Sequence, residues 1–220
     1  MFLYSELSNS LSICTCAKCG STSLFMTLYA MISGSPYTRK TAPWVHDYMK
    51  WGFDNVSSSS EPGKLHLILT SNPVERYISA FHSKLRCCDD GVTRCYQDLD
   101  NRFAPAFARL ANMPKRECFV FEDYVQALEN VHRLKKQHLL DAHFLPQDIA
   151  CKAYTNTPTL VFDVNYASEF LQRLRGYNLH RFKFVHAHVT PRNRVYNTSR
   201  LKALSLPEFK WIDRVGRVHN

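Results

Sequence analysis

Short apolar runs of strand length alternate along this chain with longer stretches whose apolar residues recur every three to four positions. Leu65-His66-Leu67-Ile68-Leu69-Thr70 is apolar almost throughout, as a strand buried on both faces requires. Glu117-Cys118-Phe119-Val120-Phe121 and Thr159-Leu160-Val161-Phe162 read the same way, and Phe182-Lys183-Phe184-Val185 reads as a last strand or a sheet edge. A β-prone run through Ile13 and Cys14 leads, after a turn, into a helix-like apolar stretch over 24–32. Further helical patterns lie at 74–85, 123–132 and 167–174, the first with Pro73 in its opening turn and Asn72 as its N-cap. This alternation predicts an α/β fold, a mostly parallel sheet flanked by helices. The Ser-rich stretch 57–63 reads as a surface loop, no internal repeat is visible, and 1–220 is expected to form a single domain.

Composition narrows the class. A chain of 220 residues, 45% hydrophobic, with only 7 Gly and 10 Pro, is globular and long enough to bury a core. A formal charge of +9 and a pI of about 9.2 point to anionic partners. The cations are spread along the chain without a recognisable nucleic-acid module. Anionic small molecules explain the charge as well as nucleic acid does, and no nucleic-acid partner is expected. The 8 cysteines fit a disulfide-bearing lumenal protein or buried free thiols in a cytosolic one. Two sequons, at Asn55 and Asn197, are compatible with a secretory route. No run approaches the roughly 18–20 apolar residues of a membrane span, and the first residues lack the charged opening of a signal peptide.

Candidate chemistry concentrates at Ile-Cys-Thr-Cys-Ala-Lys-Cys-Gly-Ser-Thr-Ser, positions 13–23. A strand, a turn holding Lys18 and Gly20, three hydroxyls and a helix together form a cradle for a phosphate-like anion. Backbone N–H groups and the positive end of the helix dipole converge there, and Lys18, Ser21, Thr22 and Ser23 add donors. Lys18 precedes Gly20, whereas the nucleotide-triphosphate loop places its Lys after the second Gly. A Cys-rich turn before a core helix, or a metal knuckle on Cys14, Cys16 and Cys19, are other readings of the same residues. The order Lys-x-Gly-Ser-Thr-Ser resembles the 5′-phosphosulfate loop of PAPS-dependent sulfotransferases (PAPS is 3′-phosphoadenosine 5′-phosphosulfate), the Golgi carbohydrate group in particular. That resemblance implies a P-loop-like sulfotransferase fold, PAPS as donor, PAP as product and no metal. Lys18, Cys19, Gly20, Ser21, Thr22 and Ser23 would form the donor-binding loop.

Thr70-Ser71-Asn72-Pro73-Val74-Glu75-Arg76-Tyr77-Ile78-Ser79-Ala80-Phe81 is a second strand-to-helix junction, the place where open α/β sheets bind ligands. It resembles the family's 3′-phosphate motif, Arg-Asp-Pro-x-x-Arg-x-x-Ser-Ala-Tyr, at Pro73, Arg76, Ser79 and Ala80. The resemblance implies donor contacts from Ser71, Arg76 and Ser79. Ser71 stands where the family has an Arg, and a charge-assisted contact of that kind is worth about 1.5–3 kcal/mol. The strand ends in Ser71-Asn72 without the acid that holds Mg²⁺ in P-loop kinases, which weighs against phosphoryl transfer.

The family also places a catalytic His between these two segments, upstream of a Lys-aromatic-Gly like Lys50-Trp51-Gly52. His46 is the matching candidate for the base that accepts the acceptor's proton, with Lys18 as the catalytic cation. His66, inside an apolar strand, reads as structural. His143-Phe144-Leu145-Pro146-Gln147-Asp148-Ile149-Ala150-Cys151 resembles the family's His-Trp-x-Pro-Gln block at the acceptor cleft, so His143 and Gln147 are candidate substrate contacts. A packed loop, or zinc held by His138, His143 and Cys151, are the other readings of that block. The resemblance runs from Cys14 to about Leu174 and implies transfer of a sulfuryl group to a carbohydrate hydroxyl. A nucleotide-dependent kinase on a similar fold and a non-catalytic polyanion-binding relative are the alternatives. It also implies either a Golgi-lumenal catalytic domain trimmed of its membrane anchor or a naturally soluble cytoplasmic relative.

Overall fold

The computed structural model describes residues 2–5, 11–38, 65–88, 103–151, 159–167 and 196–217. It divides into two compact units. One comprises Met1–Ser71, Ala150–Val189 and Trp211–Asn220, and the other Asn72–Ile149 and Thr190–Lys210.

The first unit is built on a four-stranded sheet in the order β1 (Phe2–Ser5), β2 (Leu11–Thr15), β3 (Leu65–Thr70), β4 (Thr159–Asp163). β1 runs antiparallel to β2, whereas β2, β3 and β4 are parallel, with Thr15 opposite Leu69 and Thr70 opposite Asp163. Successive residues of a strand face opposite sides, yet Leu67, Ile68 and Leu69 are all buried, so β3 is covered on both faces. Helix α1 (Ser21–Ser33) follows β2, buries Leu24, Phe25, Leu28 and Tyr29, and stops at Gly34 in the left-handed conformation. Cys14 and Cys151 form a disulfide packed against Ile68 and Trp211.

The second unit is helical. It contains α2 (Pro73–Lys84), α3 (Phe103–Leu110), α4 (Phe121–Arg133), most of the short α5 (Gln147–Ala150) and the first part of α6 (Ser199–Arg217). Asn72 caps α2 through Oδ1, which accepts from the N–H groups of Val74 and Glu75 at 3.0 and 3.3 Å. The core is aromatic: Phe81 stacks on Tyr124 with ring centres 5.1 Å apart, and Phe107 lies 5.0 Å from Phe144. The buried Tyr124 hydroxyl donates to the Tyr77 carbonyl at 3.1 Å.

The expected strand at 117–121 is corrected here. Phe119 makes one isolated bridge to Arg86, and Phe121 opens α4. Phe121, Tyr124, Val125 and Leu128 recur at helical spacing and are all buried, and Glu122 and Asp123 sit in the first turn where the helix dipole favours acids. The Cys87–Cys118 disulfide ties the preceding segment to the end of α2. The sequence reading anticipates neither α3 nor α6. The expected strand at 182–185 and the loop at 57–63 lie outside the described residues, as does the expected helix at 167–174 apart from Ala167.

Cys87 and Cys118 are 31 positions apart, so their bond constrains an unfolded loop by about 3–4 kcal/mol. Replacing both by Ala should lower the calorimetric Tm by roughly 6–15 °C in non-reducing buffer.

Candidate functional site

The turn between β2 and α1 is organised by its backbone. The Cys19 N–H donates to the Cys16 carbonyl at 3.1 Å, and Lys18 and Gly20 both take left-handed conformations, with φ of 68° and 76°. Gly20 stands at the N-cap position, so no side chain caps α1, and the first turn carries no acid. The first turn of the helix thus sets no carboxylate of its own against the positive end of the dipole. Ser21 and Ser23 are buried and Thr22 is half-buried. Gly is required at position 20 for a second reason, since a Cβ there would run into Val164 Cγ2. Cys16 and Cys19 are joined by a disulfide that spans Lys18, which removes both sulfurs from any metal knuckle.

The register of the sheet brings the end of β3 to this turn. Ser71, directly after β3, is buried, and its hydroxyl donates to Cys19 Sγ at 3.5 Å. β4 ends in Asp163, whose Oδ1 accepts from the backbone N–H and side-chain amide of Asn165 at 2.8 and 2.7 Å. The sheet therefore does carry an acid at a strand end, one strand beyond β3, engaged by Asn165.

In the helical unit, Arg76 and Glu208 form an ion pair at 3.3 Å with side chains 0% and 2% exposed. The Glu208 carboxylate also accepts from the Gln147 backbone N–H at 2.9 Å and from its side-chain amide at 3.3 Å, while Arg76 Nη1 donates to the His143 carbonyl at 3.4 Å. Burial, then the neighbouring Glu208 charge, raises the Tyr77 hydroxyl well above its usual range and pushes the Asp148 carboxyl up. His143 Nδ1 lies 2.5 Å from Asp141 Oδ1, and the same oxygen accepts from the His143 N–H at 3.0 Å. Burial pushes Asp141 up, but the His143 hydrogen bonds outweigh it and hold the carboxyl below its ordinary value. The edge of the His143 ring meets Phe103, which with Phe107, Phe144, Arg109, Lys136 and Asp141 lines a cleft of about 660 Å³.

The profile of the sulfotransferase family matches residues 3–205, nearly the whole chain. The chain belongs to the sulfotransferase family. No curated protein and no solved structure matches it. The three parallel strands flanked by helices are consistent with a sulfotransferase fold, and family membership implies transfer of a sulfuryl group to a hydroxyl-bearing acceptor.

In this sulfotransferase the predicted residues fall into two groups. Lys18, Cys19, Gly20, Ser21, Thr22, Ser23 and Ser71 share the first unit, where Ser71 meets the loop through Cys19. Arg76, Ser79, His143 and Gln147 share the second, where Arg76 and Gln147 both contact Glu208 and the His143 carbonyl accepts from Arg76. The Arg76 guanidinium, read from the sequence as a donor contact, is held by Glu208; Ser79 is half-buried on α2. His46 lies outside the described residues, as does the side chain of His66. Cys151 is bonded to Cys14, so its sulfur is not a thiolate ligand for zinc. Sequence reasoning missed Asp141 and Glu208. Glu208 was findable, because it falls on the same helical stripe as Leu201, Ser205 and Trp211, all buried, and a carboxylate there demands a cation.

Gly20→Ala should cost about 1–2 kcal/mol for the left-handed backbone alone, read as a Tm lowered by roughly 2–8 °C. An unchanged Tm would mean that the turn relaxes without Gly.

Proposed function

We propose that this protein transfers the sulfuryl group of PAPS to a hydroxyl of a carbohydrate acceptor. The observation that carries the reading is the amino end of α1, with Gly20 at its N-cap and no acid in its first turn, behind a turn holding Lys18 at the carboxyl end of a parallel strand. Such a turn suits the 5′-phosphosulfate, whose sulfur passes to the acceptor oxygen as its bond to the bridging oxygen breaks and PAP leaves. Backbone N–H groups at Ser21 to Ser23 would hold the phosphate, and Lys18 would meet the charge that develops on it. Ser71 would close the site from the neighbouring strand. His46 would take the acceptor's proton. The cleft beside His143, with its aromatic wall and polar rim, suits a sugar ring. Disulfides in both units support an oxidising compartment such as the Golgi lumen. The hydroxyl at position 71 in place of a guanidinium favours, as second reading, a non-catalytic relative that binds polyanions.

PAP without metal should raise the Tm well above the shift given by AMP, which lacks the 3′-phosphate, and ATP with Mg²⁺ should not match it. Equal shifts for PAP and AMP would remove the 3′-phosphate site, and stabilisation by heparin alone would favour the second reading.

Lys18→Ala should lower turnover by about a hundredfold or more while weakening PAP binding about tenfold or less, because its charge meets the transition state. Equal losses would confine Lys18 to ground-state binding.

A further inference from the structure

Arg76 and Glu208 are the charged side chains buried among the described residues, and they come from elements 132 positions apart. Their contacts reach one short segment from two sides. Arg76, in the first turns of α2, donates to the carbonyl of His143, and Glu208, on α6, accepts from the backbone and side-chain N–H groups of Gln147. Both ends of 143–147 are thereby tied to one ion pair. A guanidinium committed in this way cannot turn to a phosphate without leaving the Glu208 carboxylate buried and uncompensated, the costliest state for such a pair. The arginine that the family motif offers as a phosphate contact is thus engaged in holding the neighbouring segment.

We propose that Glu208 and Arg76 are positioning residues whose buried pair fixes the segment bearing His143 and Gln147 against α2, and that neither side chain touches donor or acceptor. The proposal rests on the sulfotransfer reading for what the segment does, but the clamp itself is independent of it. A phosphate ligand and a clamp behave differently. Loss of a ligand weakens PAP and spares AMP; loss of a clamp leaves their ratio alone and loosens 143–147.

The test uses the full chain, with Glu208→Gln, Arg76→Lys, Arg76→Met and the double variant Arg76→Met/Glu208→Met. Glu208→Gln should speed amide hydrogen exchange over 143–147 by about tenfold or more, and Arg76→Lys, which keeps the charge, should do so less than Arg76→Met. The ratio of PAP to AMP affinity should stay within about twofold of wild type in every variant, while kcat/KM on a desulfated glycan mixture falls about tenfold or more in Glu208→Gln. The double variant, in which no buried charge is orphaned, should fold even where a single does not. A loss of PAP affinity with AMP affinity intact in Arg76→Met, with Glu208→Gln silent, would overturn the proposal, as would unchanged exchange over 143–147. Should wild type bind neither nucleotide, the PAPS reading falls, and the exchange data still decide the clamp.

Discussion

Parallel pairing of β2 with β3 in a single register is the constraint on which the rest of the proposed donor site depends. With Thr15 opposite Leu69, both strands end at the same edge of the sheet, so the turn entering α1 and Ser71 after β3 meet there. A slip of one residue would exchange the two faces of β3, and Leu67, Ile68 and Leu69 are all buried in a strand covered on both sides. The Cys14–Cys151 disulfide adds a covalent tie in β2 itself, beside Ile68 and Trp211. What fixes the core therefore also fixes where an anion can be held, at the carboxyl ends of parallel strands.

The helical unit is organised around charge. A buried ion pair adds little net stability over apolar residues of the same size, because desolvation offsets the attraction, but losing one partner costs about 3–5 kcal/mol. Arg76 and Glu208 satisfy that condition through shared partners: the pair accepts from Gln147 and donates to His143, so the same groups that neutralise each other also orient a turn. His143 in that turn is fixed a second time by Asp141, which accepts from both its ring and its backbone.

Much of the sheet and of the two strand-to-helix junctions was legible in the sequence because the signals are local. The apolar run at 65–70, the Asn72-Pro73 helix start and the Lys18 to Ser23 loop each depend on a few adjacent residues, and the elements stand where those residues place them. The stretch 117–121 misled because an apolar run of four, Cys118 to Phe121, cannot separate a strand from the start of a helix, and the helical spacing that decides it lies beyond Phe121. α6 escaped notice although Leu201, Leu204, Glu208 and Trp211 keep helical spacing, since Pro207 in its middle reads as a helix breaker. Arg76 shows the deeper limit. Its motif predicts a residue type at a helix start, but the carboxylate that claims its guanidinium lies 132 positions away, and nothing local announces it.

Lys18 shows how turn and site become one feature. A non-glycine residue in the left-handed region costs roughly 1–2 kcal/mol and persists only where its surroundings impose it. Here the surroundings are the Cys16–Cys19 hydrogen bond and disulfide, which close the turn on either side of Lys18, and Val164, which leaves no room for a side chain at Gly20. Because Gly20 cannot cap, the first N–H groups of α1 have no side-chain acceptor from the N-cap, and because no acid follows in the first turn, the helix sets no carboxylate of its own against its dipole. Each step that shapes the turn thus also prepares it for an anion. In the donor site we propose, with Ser71 where the family motif has a guanidinium, attraction would rest on this backbone array and on Lys18, groups whose backbone placement is set by the fold.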